Sequence, residues 1–370
     1  MQAAVYDAAT KIGHRYVPYH QFSAAPGNAS IEAAVIAAAY NTLVDLLGPN
    51  GNLATEYKSS IDALPDDITR ARGIAVGEAA AADIESVRAN DGRYGPWDPG
   101  LGAPTKPVQP GVWVWAPSPS LQIAQTPWMA TMRPFMLEST SQFRAPPPPD
   151  LTSAQYAADL NETKDYGSAT SAVRTPEETA IAYFWNANAT SQVNQTLQNV
   201  ATQHNLDLLD AARLLAAGNM VSTDAGMACF DSKYTYRFWR PVTAIRNADL
   251  DGNPATGADP TWTPLVTTPN HPEYPSQHGC VTSALAQVLA NAVGTTNIDA
   301  TIPGATLGGT TLTTSQTFAT VDDLLSQLVN ARVWIGFHYR NSVVSGENLG
   351  TAVANWELQR YFLPTDDEDG

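Results

Sequence analysis

This chain is short of positive charge and nearly without cysteine. Its 370 residues include 20 Lys and Arg against 36 Asp and Glu, a formal net charge of −16. Nucleic-acid binding draws on a basic face that releases counterions, and no such face is visible, so nucleic acid is excluded as a partner. The two cysteines, Cys229 and Cys280, cannot build a disulfide framework, and buried free thiols are the expected state of both. Long apolar runs are missing as well. Apolar residues make up 44% of the chain, yet no run reaches the roughly 18–20 residues that span a bilayer. The most apolar window, Ile31 to Leu47, is interrupted by Glu32, Asn41 and Asp45 and reads as a buried helix. The start, Met1-Gln-Ala-Ala-Val-Tyr-Asp7, has no basic leader and no apolar core, so no signal peptide is read there.

Alternating strand patterns are scarce, Val112 to Trp115 being the best. Helical signals are plentiful. Ile31 to Leu47 and Asp67 to Asn90 are Ala-rich and end at Gly48-Pro49 and Asp91-Gly92, which are helix stops. Thr175-Pro-Glu-Glu178 combines a capping hydroxyl, proline at the first position and acids on the positive end of the dipole, so it opens a helix from Glu177 to Asn186. Further helices are expected over Ser191 to Ala217, Ser276 to Ala292, Thr320 to Gly336 and Ser345 to Phe362, with a loose Gly/Thr-rich loop from Thr301 to Thr317. Proline-rich connectors carry Trp113, Trp115, Trp128 and Trp262 as anchors. The expected fold class is all-α, a helical bundle. One domain is expected over 1–370: an N-terminal helical half (1–175), a catalytic helical core (176–363) and an acidic tail (364–370).

Three short stretches carry the chemistry. Lys233-x6-Arg240-Pro241 places two cations seven residues apart, two turns of one helix face, with Pro241 stopping or bending the segment. Alone, the pair reads as a solvated basic face, but Tyr234, Tyr236, Phe238 and Trp239 surround it, and a buried pair of cations requires an anion. Pro275-Ser276-Gln277-His278-Gly279 enters a helix, where free N–H groups and the dipole form an oxyanion cradle. Alone, it reads as a cap with a chance histidine. Arg332 and His338 bracket an apolar segment in which Gly336 can release the helix and turn His338 inward; alone, this reads as a core histidine beside a structural arginine. Together they supply a lysine, two arginine forks, a small hydroxyl and two imidazoles, which suits the grip of a tetrahedral oxyanion.

In this order the stretches resemble the vanadium-dependent haloperoxidases and the related type 2 phosphatidic acid phosphatase superfamily, whose pattern is Lys-x6-Arg-Pro, Pro-Ser-Gly-His, then Arg-x5-His-x3-Asp. The segments Trp239 to Ile245, Asp251 to Pro254, His271 to Pro275, Gly336 to Arg340 and Ala3 to Ala8 are similar to the haloperoxidase branch. The resemblance implies the bundle fold of that superfamily and vanadate as cofactor, with no nucleotide or haem. It implies that His338 bonds to vanadium, that Lys233, Arg240 and Arg332 neutralise the oxygens, and that Ser276 and the Gln277 N–H complete the cradle. His278 is then the acid–base group, Lys233 polarises bound peroxide, and halide is oxidised to a hypohalous-acid equivalent passed to a small organic acceptor. His271 stands where the family sets halide preference, and histidine there points to bromide and iodide over chloride. Export is the expected localisation, and a homo-oligomer is an open expectation.

Two positions depart from the pattern. Gln277 replaces the glycine between serine and histidine, and Ser342 replaces the aspartate four residues after His338. In the phosphatases that aspartate orients the nucleophilic histidine, so its loss favours the peroxidase reading. The rivals are a metal-free phosphatase passing through a phosphohistidine at His338, and a non-catalytic oxyanion binder. Asp249-Leu-Asp251-Gly252 lacks the bidentate acid of a calcium loop and reads as a plain turn.

Overall fold

The computed structural model describes residues 1–24, 27–104, 107–115, 123–304, 306–307, 310–311 and 313–365. Twelve α-helices occur among them: α1 (Gln2–Gly13), α2 (Ile31–Leu47), α3 (Gly51–Asp62), α4 (Ile68–Arg88), α5 (Ala154–Tyr166) and α6 (Pro176–Phe184), followed by α7 (Ala189–Gln203), α8 (Leu208–Tyr236), α9 (Pro241–Arg246), α10 (Gln277–Val293), α11 (Val321–Trp334) and α12 (Arg340–Leu358). The all-α expectation holds. No helix among the described residues is long and apolar enough to cross a membrane.

Local chemistry explains most helix starts. Ser30, Asp67, Ser153, Ser276 and Thr320 each accept an N–H of the following turn through the side chain. Thr175 and Glu178 form a reciprocal capping box with Pro176 at the first position. Where the sequence reading ran one helix from Ser191 to Ala217, the chain breaks into α7 and α8, because Asn205 takes a left-handed φ of 48° and Asp207 caps the next helix through Asp210 N at 2.9 Å. The expected loop from Thr301 to Thr317 instead holds antiparallel pairs: β1 (Ala300–Ile302) with β4 (Gln316–Phe318), and β2 (Thr306–Leu307) with β3 (Thr310–Thr311). Val112 to Trp115 forms only an isolated bridge between Val112 and Phe238. The acidic residues from Asp366 onward lie outside the described residues.

Two compact units divide the chain. The first comprises Met1–Asp91, Leu197–Met220 and Trp356–Gly370. Its helices α2 and α4 meet through small residues: Ala33, Ala34, Ala37 and Ala38 are fully buried, and a Cβ added to Gly77 would stand 2.2 Å from the Ala34 carbonyl oxygen. Only glycine permits that approach. Ala9, Leu209 and Ala212 form a further core, flanked by Val5, Tyr16, Ile31 and Val35.

The second unit comprises Gly92–Thr196 and Val221–Asn355. Helix α11 packs on α10, α6 and α5, and Ala182, Ile335 and Phe337 form a core at its end. At Gly336 the chain turns with φ 81°, against the carbonyl of Gly167, which a Cβ would approach to 2.6 Å. This turn releases α11 as the sequence reading expected, and it delivers His338 to the interior of the unit.

Candidate active site

All the expected site residues lie in the second unit. Lys233 sits near the end of α8, four residues before Arg237 leaves the helix with φ 48°. Arg240 is not on that helix. It is the extended cap residue of α9, which Pro241 begins. The expectation of one shared helix face is therefore corrected, and Pro241 starts a helix where a stop was expected. Lys233 and Arg240 meet because the chain folds back, with Lys233 held in α8 and Arg240 reaching the segment after α11.

The cations are deeply buried: Lys233 and Arg240 are 0% exposed and Arg332 2%. Lys233 Nζ donates to the carbonyls of Pro272 and Glu273, both at 2.9 Å. Arg240 Nε donates to His271 O and Nη1 to Phe337 O, each at 2.9 Å; Nη1 also lies 3.2 Å from His338 Nε2. Arg332 stacks over the Phe337 ring at 5.1 Å and donates through Nη1 to Trp185 O at 2.8 Å. Its buried Nε has no partner.

The imidazoles converge on these cations. His338 is 2% exposed, and its Nδ1 meets Glu273 Oε1 at 2.8 Å. A carboxylate at Nδ1 and a guanidinium N–H at Nε2 fix the neutral tautomer with its proton on Nδ1. His271 packs on Phe230 with ring centroids 5.4 Å apart, and its Nδ1 lies 3.1 Å from Arg240 Nη2. His278, in the first turn of α10, approaches Ala187 O through Nε2 at 3.4 Å. Burial first, then the neighbouring cations, holds all three rings well below the ordinary histidine range, so each is neutral. Burial pushes Lys233 down to about 8 and raises Glu273 to about 7 against the pull of Lys233 and Arg240.

At the start of α10 the Ser276 hydroxyl accepts Gly279 N at 3.4 Å, and Cys280 N bonds to Ser276 O at 3.1 Å. The N–H groups of Gln277 and His278 remain among the unclaimed donors that begin a helix. Cys229 and Cys280 are buried free thiols, as expected. Asp251 accepts from Asn253 N and Thr256 Oγ1, a plain turn. Among the described residues no group of three or more His, Cys, Asp or Glu side chains can hold a metal cation.

The donor set fits an oxyanion. Three buried cations face one carboxylate in contact with His338, Arg332 keeps an orphaned Nε, and a helix start adds two N–H groups. Uncompensated buried charge is costly, and a tetrahedral anion relieves it. The sequence reading missed Glu273, Trp185 and Ala187. A lone acid inside the proline-rich His271 to Pro275 stretch was the available signal for Glu273; the carbonyls of the other two leave none.

Residues 213–364 match the family model described as the VCPO second helical-bundle domain. The vanadium chloroperoxidase of Curvularia inaequalis is 28% identical over 35% of this chain and 24% of that protein, so the match spans about a quarter of the curated relative's length. Among solved structures, the first bacterial vanadium-dependent iodoperoxidase superposes with a TM-score of 0.80 at 22% identity, covering 99% of this chain and 90% of that one. A bacterial vanadium-dependent chloroperoxidase in its holo form gives 0.72 at 19% identity, covering 96% and 88%. Residues 213–364 are thus similar to the second helical-bundle domain of that family model, within a chain whose fold over nearly its full length is that of the bacterial vanadium haloperoxidases.

Proposed function

We propose that this chain is a vanadate-dependent haloperoxidase that uses hydrogen peroxide to oxidise halide, bromide and iodide ahead of chloride, and passes the oxidised halogen to a small organic acceptor. The observation that carries this reading is the buried grouping of Lys233, Arg240 and Arg332 around His338 with donors to spare. Vanadate bound there supplies the centre at which peroxide becomes reactive toward halide. Arg240 and Arg332 hold the oxygens by charge and hydrogen bonds, and Ser276 and the Gln277 N–H add donors from the helix start. Lys233 places a fixed positive charge where negative charge develops. His338 presents Nε2 as the ligand atom, its proton held on Nδ1. His278, neutral and in the first turn of α10, would be the acid–base group that holds and returns the proton of peroxide. The neutral His271, buried between the Phe230 ring and the Arg240 guanidinium, is the residue assigned to halide preference, in favour of the softer halides.

A phosphatase reading of the same cradle is favoured by one observation. The loss of the family aspartate at position 342 was expected to weaken phosphoryl transfer, yet His338 has a carboxylate partner in Glu273. That argument against the phosphatase therefore falls, and the choice rests on turnover. The test is peroxide-dependent bromination of a dimedone-type probe by phosphate-stripped protein, with and without orthovanadate. Bromination only with vanadate is the expected result. Vanadate binding without bromination or iodination overturns the peroxidase reading, and turnover of a phosphomonoester then separates a phosphatase from a silent binder.

A further inference from the structure

Serine at position 342 leaves His338 without the acid that the resembled pattern places one helical turn later. The structure fills that vacancy from elsewhere in the sequence. Glu273 Oε1 lies 2.8 Å from His338 Nδ1 and accepts the Tyr339 N–H at 3.2 Å, so one carboxylate oxygen grips two consecutive residues of the segment that presents the imidazole. We propose that Glu273 is the positioning residue for His338, and that Glu273 with Ser342 is a relocated form of the family's histidine–aspartate pair. The proposal rests on the oxyanion-site reading given above.

Three observations support it. First, the main chain of Glu273 is pinned on both sides of its carboxylate: its N–H donates to Phe238 O at 2.9 Å, and its carbonyl accepts Lys233 Nζ at 2.9 Å. The side chain is 0% exposed, so its aim at Nδ1 is set by the same segments that carry Lys233 and Arg240. Second, a carboxylate at Nδ1 leaves the Nε2 lone pair bare, and Nε2 points to Arg240 Nη1 at 3.2 Å, on the cationic side of the cluster. A ligating or nucleophilic imidazole needs that tautomer. Third, Ser342 is 1% exposed and its hydroxyl has no hydrogen-bond partner, so position 342 gives the imidazole no acid and leaves that role to Glu273. An aspartate at 342 would bring a second acid against the first in a buried site, so the two arrangements exclude one another.

The test uses the full chain freed of phosphate. Nitrogen-15 histidine spectra of the wild type should show His338 protonated at Nδ1 and bare at Nε2; the opposite tautomer overturns the proposal, whatever anion the site takes. Orthovanadate titrations by calorimetry then compare wild type, Glu273→Gln, and the double variant Glu273→Gln with Ser342→Asp. Glutamine matches the size of glutamate and preserves packing, so a purely structural role predicts unchanged binding. The expected result is a Kd raised about 10-fold or more in Glu273→Gln, recovered at least in part when aspartate is supplied at 342. Equal affinity in wild type and Glu273→Gln, or a double variant as weak as the single, overturns the proposal. A wild type that does not bind vanadate defeats the vanadate reading instead, while the tautomer measurement still decides the role of Glu273.

Discussion

In the first unit the buried carboxylate of Asp7 accepts the N–H groups of Tyr19 and His20, and the surrounding helices close through alanine and glycine. In the second unit Lys233, Arg240 and Arg332 are equally buried, but the acid among them is Glu273, already bonded to His338 and Tyr339. The first unit meets the acid of Asp7 with main-chain N–H groups alone, and burial raises that acid to about 8; the second gathers three buried cations near a single acid. Two helical units made from the same alphabet thus differ in where their stability is spent. One closes by close backbone approach, and the other holds a cluster of like charges, the arrangement expected of a site that an anionic ligand completes.

The largest effect that would sharpen this contrast is in the first unit. Gly77→Val should cost about 3 kcal/mol or more, because any Cβ collides with the Ala34 carbonyl; urea denaturation reads it, and a stability near wild type would refute the packing argument. Next is Arg332→Met. Removing a buried cation that lacks a full set of partners should raise the stability of the anion-free protein by about 1–4 kcal/mol while lowering vanadate affinity by about 100-fold, measured by thermal melts and calorimetry. Third, orthovanadate at 100 times the wild-type Kd should stabilise the wild type by about 2.7 kcal/mol and Arg332→Met, at its roughly 100-fold weaker affinity, by only about 0.4 kcal/mol under the same conditions. Last is a pH effect at Lys233, confined to alkaline pH. Its pKa falls from 10.5 when free to about 8 in the folded chain, so between those values the unfolded chain holds the extra proton. Stability of the anion-free protein from this group therefore rises with pH from about 8 to 10.5. Melting temperatures of wild type across that window should climb relative to those of Lys233→Met.

Much of this was legible in the sequence. Hydroxyl and acid caps at Ser30, Asp67, Thr175, Ser276 and Thr320 mark helix starts through purely local hydrogen bonds, and the three cation–imidazole stretches announce an oxyanion site by composition. What local reading missed depends on contacts between distant segments. Helix α3 buries only Ile61, so it leaves no apolar stripe to read. The seven-residue spacing of Lys233 and Arg240 mimics two helical turns, but the left-handed Arg237 ends α8 between them. Glu273 meets His338 across 65 positions of sequence, and no periodicity records that meeting.

The burial of the cationic cluster inside so acidic a chain has a kinetic consequence. Vanadate and halide are anions, and the net charge of −16 sets up a repulsive field at the surface, while the attractive charges lie beneath it. Added inert salt shortens the reach of the surface field to about 10 Å at 0.1 M ionic strength and leaves the buried charges nearly unscreened. Anion uptake should therefore speed up as ionic strength rises from low values, the reverse of the salt response of proteins that steer anions with an exposed basic face.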